Sequence, residues 1–173
     1  TDGTSTVSSG STTNDAALTV TFTSSETGTN FASSDITVSG GTLGTLSGSG
    51  TTYTATFTPS ADGATTIDVA ASMFTDAAGN NNTAATQYAW TYDGTAPTIS
   101  SVSLASDNTT IAVTLSEASY NTSSGSGSLE ASDFSLSISG GTATMSSATP
   151  SSISSSSNTY TLGISLSGTP DGS

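Results

Sequence analysis

Leu18, Val20 and Phe22 alternate with Thr19, Thr21 and Thr23, and this two-residue rhythm returns along the whole chain. Ile36 and Val38 follow and stop at Gly40-Gly41. Tyr53, Ala55 and Phe57 are spaced by threonines and stop at Pro59, Ile67 and Val69 come after an Asp62-Gly63 turn pair, and Tyr88, Trp90 and Tyr92 end at Asp93-Gly94. Extended backbone sends successive side chains to opposite faces, so a period of two buries one face and wets the other. The intervening threonines are β-branched and suit that backbone. Beyond residue 98 the rhythm resumes at Ile99, Val102 and Leu104, then Ile111, Val113 and Leu115, then Phe134, Leu136 and Ile138 before Gly140-Gly141. It closes with Tyr160, Leu162, Ile164 and Leu166. Short strands broken by Gly, Asn, Asp and Pro predict an all-β fold of antiparallel sandwiches rather than βαβ units. The Ala70 to Ala78 stretch reads as a loop with room for one helical turn before Gly79-Asn80. Apolar residues are 32% of the chain, enough for one apolar face per strand. Their regular alternation separates the chain from a disordered Ser/Thr-rich stalk.

The chain also repeats itself. Asp2-Gly3-Thr4 matches Asp93-Gly94-Thr95, and Ser25-Glu26 matches Ser116-Glu117, both at an offset of 91 residues. Leu18 to Phe22 reads against Ile111 to Leu115, Ser34-Asp35 against Ser132-Asp133, and Gly40-Gly41-Thr42 against Gly140-Gly141-Thr142. Tyr53-Thr54 reads against Tyr160-Thr161, and Asp62-Gly63 against Asp171-Gly172. Two sandwich domains are expected, residues 1–92 and residues 93–173. The second is expected to be incomplete, without counterparts of the Ile67-Val69 strand, the Phe74 to Asn80 loop or the Tyr88-Trp90 strand. Its closing strands are expected from a longer polypeptide or by strand donation from a neighbouring subunit.

Charge narrows the function. Thirteen acidic residues stand against no Lys, Arg or His, for a net charge of −13. No side-chain ion pair can form, and a nucleic acid or an anionic membrane surface would be repelled. Direct membrane insertion is not expected, since no stretch has the length of an apolar span. Without His, Lys or Cys there is no Ser–His–Asp arrangement, thiol nucleophile or amine base, so the chain reads as a non-enzyme. The lack of cysteine also rules out a disulfide framework. Oxygen ligands alone favour calcium among metal partners.

Several segments carry a family resemblance. They are Thr21 to Glu26, Ser34 to Val38, Tyr53 to Pro59, Phe74-Thr75-Asp76-Ala77-Ala78-Gly79-Asn80 and the junction Tyr92-Asp93-Gly94-Thr95-Ala96-Pro97-Thr98. The Tyr160 to Ile164 and Gly168 to Gly172 segments resemble a related variant. Together the chain resembles the bacterial immunoglobulin-like tandem repeats of large cell-surface proteins and adhesins. The resemblance implies immunoglobulin-like sandwiches in rod-like arrays, a place on the bacterial surface or in a secreted fibre, and calcium at the joints between domains.

The candidate calcium ligands are Glu26, Asp76, Asn80 and Asp93, with Glu117 as the equivalent of Glu26 in the second copy. Calcium takes about 6–8 oxygens, so backbone carbonyls and water would complete the shell. Asp62, Asp107 and Asp171 read as turn residues, and Asp35 and Asp133 as a repeated structural turn. The function expected is a structural segment of an adhesin stalk or surface fibre, rigidified by calcium at its joints. Its partners would be neighbouring immunoglobulin-like domains, with a cell-surface glycan or protein as the adhesion target. The alternative is a carbohydrate-binding surface module that stacks sugars on its aromatic residues. A buried Trp90 favours the scaffold, and an exposed one the sugar site.

Overall fold

In the computed structural model, residues 5–122 and 125–167 are described. The repeat matches at Asp2-Gly3-Thr4 and from Gly168 to Gly172, Asp171 among them, lie outside these residues. Two compact units form, Thr1–Thr95 and Ala96–Ser173. Asp93, Gly94 and Thr95 fall with the first because they are bonded to it. Asp93 N–H donates to Thr13 O (3.0 Å) and Gly94 N–H to the Asp62 carboxylate (2.7 Å).

The first unit contains β1 (Thr12–Thr13), β2 (Leu18–Thr23), β3 (Thr37–Ser39), β4 (Gly41–Leu43), β5 (Ser47–Ser49), β6 (Thr52–Pro59), β7 (Gly63–Asp68) and β8 (Tyr88–Tyr92). One sheet has the order β1-β8-β7-β3, and the other has β2-β6-β4 with β5 also on β6. The alternation does what the sequence requires. Leu18 of β2 and Phe57 of β6 point inward from one sheet, and Ile67 of β7 and Trp90 of β8 from the other. Phe57 is 0% exposed and meets Trp90 edge-on at 4.8 Å between ring centroids. Such a pair contributes roughly 0.5–1.5 kcal/mol beyond its buried area. A second aromatic group joins Phe31 to Phe22, Tyr53 and Phe74 at 5.0–5.8 Å. All pairings are antiparallel except β1 with β8, which run parallel with Thr12 opposite Thr91.

The second unit contains β9 (Ile99–Leu104), β10 (Thr110–Leu115), β11 (Thr144–Met145), β12 (Ile153–Ser156), β13 (Thr159–Gly163) and β14 (Leu166–Ser167). A four-stranded sheet has the order β12-β13-β10-β9, and β11 pairs with β14 alone. Val113, Tyr160 and Leu162 form its buried core, flanked by Phe134, Leu136 and Ile153. Two sequence expectations fail here. Phe134 to Ile138 is not a strand. Its first-unit counterpart, β3, is held by β7, and no strand like β7 occurs among the described residues of the second unit. Among the described residues the backbone of the segment makes a single hydrogen bond to another stretch, Leu136 N–H to Ala148 O at 2.8 Å, which is too little to build a ladder. The run from Tyr160 to Leu166 is also two strands, since the sheet pairing ends at Gly163 and β14 turns to β11. The Ala70 to Ala78 segment has no helical turn.

The two units share details below the level of strands. Ser33–Asp35 and Ala131–Asp133 are both 3-10 turns. In each, the aspartate reaches back three residues to accept a backbone N–H, Ala32 to Asp35 at 2.9 Å and Glu130 to Asp133 at 2.7 Å. The repeated Ser-Asp is therefore a cap that satisfies a donor the turn leaves open. Strand register adjusts the repeat. Phe22 pairs with Tyr53, and Val113 pairs with Tyr160. With the tyrosines superposed, Phe22 corresponds to Val113 rather than to Leu115. That restores the offset of 91 shared by Glu26 and Glu117.

Candidate functional site

The expected ligands fall at different places. Glu26, Asp76 and Asn80 line one cavity of about 780 Å³ in the first unit, whose walls include Leu18, Phe31 and Trp90. Asp93 is not among its lining residues. Glu117 belongs to the second unit. Among the described residues, no three acidic side chains converge as a metal cluster.

Asp76 and Asn80 meet directly. The Asp76 carboxylate accepts from Ala78 N–H (2.9 Å), Asn80 N–H (2.8 Å) and the Asn80 side-chain amide (2.8 Å). Gly79 lies between them in the left-handed region at φ +87°, which lets the chain wrap round the carboxylate. The Asn80 side chain, its backbone N–H and the Ala78 N–H together hold the Asp76 carboxyl below the usual aspartate range. Asn82 closes the other end of this loop. Its side-chain oxygen accepts from Met73 N–H (2.7 Å) and Phe74 N–H (3.0 Å), and its amide donates to Ala70 O (2.8 Å). Asn82 is not among the expected ligands. Its signal was the Asn80-Asn81-Asn82 run in a loop too long for a simple turn.

Asp62 does more than the local turn expected of it. Its carboxylate accepts from Gly94 N–H and from the Thr95 hydroxyl, across 32 and 33 residues. These bonds, Thr95 first, lower its pKa. They pin the segment after β8 back onto the first unit. Gly94 is not in a left-handed turn. An added Cβ there would lie 2.4 Å from the Tyr92 hydroxyl, so the Tyr92 ring would have to turn aside. Asp107 is the local turn expected, accepting from the backbone and hydroxyl of Thr109.

Glu117 differs from all of these. Its Oε1 is shielded from solvent and accepts no hydrogen bond. In a chain without a basic side chain, only a proton, a donor or a cation can satisfy such an oxygen. Trp90 is 4% exposed, and its indole N–H is also buried without an acceptor. The ring therefore offers no sugar-stacking face. Among the described residues no helix is long and apolar enough to cross a membrane.

A family model described as a bacterial Ig-like domain matches residues 1–92, more than half of the 173-residue chain. No curated protein and no solved structure matches it. Domains of this kind are typical of extracellular surface proteins, commonly occur in tandem, and are generally structural rather than catalytic. With two sheets closing on an aromatic core over those same residues, the chain belongs to the bacterial Ig-like domain family.

Proposed function

We infer that the chain is a non-catalytic structural segment of an extracellular adhesin stalk or surface fibre. The observation that carries this reading is the fate of the aromatic residues. Trp90, Phe57, Phe31 and Phe74 serve the first core, and Tyr160 serves the second. Much of the aromatic chemistry of the chain is thus devoted to holding sandwiches together, and the tyrosines left exposed are Tyr88 and Tyr120. Antibodies raised against the purified chain test the location. They should label intact cells of the producing bacterium, and labelling only after permeabilisation would contradict the reading.

Calcium is the finer part of the proposal. Its support is the net charge of −13, the shared cavity of Glu26, Asp76 and Asn80, and the unsatisfied oxygen of Glu117. With the Asp76 carboxylate already accepting three hydrogen bonds, an ion near it would draw much of its shell from backbone carbonyls and water. An ion that binds only the folded state raises stability by mass action, about 2.7 kcal/mol at one hundred times its Kd. Calorimetry should show a higher Tm in millimolar calcium than in chelator. Equal values would remove calcium from the account.

A further inference from the structure

The first unit is entered and left along neighbouring segments that run the same way. Residues from Val7 to Thr13 follow β8, and Thr12 and Thr13 pair with Thr91 and Tyr92 in parallel register. Gly10 N–H donates to Ala89 O (2.7 Å), Thr91 N–H to Ser11 O (2.9 Å) and Asp93 N–H to Thr13 O (3.0 Å). Side chains extend this seam towards its start, where the Ser9 hydroxyl donates to Ala89 O (3.2 Å) and the Tyr88 hydroxyl to Val7 O. Thr12 and Thr13 bring no apolar side chain, so hydrogen bonds rather than burial attach β1.

Strand β8 is fixed more firmly. It pairs with β7 from Gly63 opposite Tyr92 to Ile67 opposite Tyr88, and Trp90 anchors it in the core. Just past its end the Asp62 carboxylate accepts from Gly94 N–H (2.7 Å) and from the Thr95 hydroxyl. That latch holds the last residues of the unit at the point where a pull on the following chain would begin to peel β8 from β7.

The direction of the two strands decides how tension acts on them. Because they are parallel, the incoming end of β1 and the outgoing end of β8 lie at opposite ends of the seam. Tension along the chain therefore slides one strand past the other. The bonds of a parallel pair run across the strands at even spacing, so they share the load and give way together. In an antiparallel arrangement both ends would lie at the same end of the seam, and the bonds would open one after another. We propose that the β1–β8 seam, with the Asp62 latch, is a mechanical clamp that keeps the first unit closed under tension along the chain. This rests on the reading of the chain as a stalk segment and names the part of the fold that bears the load.

The test pulls the whole chain, in chelator, from pairs of introduced cysteines, since the chain has none of its own. Thr6→Cys with Ala96→Cys loads the seam in shear. Ala16→Cys with Ala96→Cys pulls the same ends of β1 and β8 apart and opens the seam bond by bond. All three positions are exposed. At equal constant force the first unit should survive at least about tenfold longer in the shear pair. Asp93→Pro removes the N–H bonded to Thr13 O and should shorten the shear lifetime by up to about tenfold, the effect of one net hydrogen bond. Asp62→Ala removes the latch and should shorten it too, and it serves if the proline variant does not fold. Equal lifetimes in the two pulling geometries would overturn the proposal, as would an Asp62→Ala chain that lasts as long in shear as the unaltered one. Either failure leaves the surface location untouched, whereas labelling only after permeabilisation would leave the clamp measurable and remove the stalk it serves.

Discussion

The leading strands of the two units make opposite choices. In the first, β1 lies parallel to β8 and forms no pair with β2, while in the second, β9 lies antiparallel to β10. The sequences differ to match. Thr12-Thr13 has no apolar side chain to bury and only extends the edge of a sheet that β8 and β7 already fill. Ile99, Val102 and Leu104 bring apolar side chains to a face that stays exposed. A leading strand in this repeat is thus placed by whichever neighbour is present, and its apolar content records how much core it is asked to cover.

If both units follow one plan, deleting equivalent core side chains should hurt both, and more where the core is closed by two sheets. Phe57→Ala should cost about 4 kcal/mol and Leu162→Ala about 3 kcal/mol, measured by urea unfolding of the intact chain. Both residues are 0% exposed, but Phe57 also loses its edge contact with Trp90. A larger loss at Leu162 would reverse the comparison. The paired glycines sharpen it. Gly40 has φ +73°, and an added Cβ would lie 2.4 Å from Ala64 O, whereas Gly140 has φ +84° and open space. Gly40→Ala should therefore cost about 2 kcal/mol or more, and Gly140→Ala about 1 kcal/mol from backbone conformation alone. The capping aspartates should behave alike. Asp35→Ala and Asp133→Ala should each cost about 1 kcal/mol, and a difference well beyond that would mean the two turns are not equivalent.

The smallest expected effect concerns acid. Asp62 and Asp76 in the first unit and Asp107 in the second have carboxyls held below the usual aspartate range by hydrogen bonds. A lowered folded pKa gives stability that is present above the ordinary aspartate value and lost as pH falls through the folded one. Acid titration of stability should show a loss beginning below about pH 4. Asp62→Asn and Asp76→Asn should flatten it for the first unit, and Asp107→Asn for the second. These groups are exposed, so each change should be slight.

Much of the fold was legible because alternation specifies which face a side chain takes. Strands β2, β6, β8, β10 and β13 follow from it directly. The same periodicity hid the register. A shift of two residues keeps every side chain on its face, so reading Leu18 to Phe22 against Ile111 to Leu115 satisfies the pattern as well as the observed match of Phe22 with Val113. Phe134 to Ile138 had the pattern but has no partner strand among the described residues, which a local reading does not test. At the candidate site, the Asp76-Asn80 turn was visible in its own five residues. The bonds from Asp62 to Gly94 and Thr95 were not, because an Asp-Gly pair looks the same whether its carboxylate serves its own turn or a segment 32 residues away.

Among the described residues β9 has a neighbour on one side only, where β8 is bonded on both. Amide hydrogen exchange of the chain alone measures this strand by strand. The amides of Ser103 and Ala105 should be protected and those of Val102 and Leu104 fast, while Thr91 and Asp93, bonded to Ser11 and Thr13, should be slow. Protection at Val102 and Leu104 equal to that at Ser103 would contradict it, since the edge taken as open would already be paired.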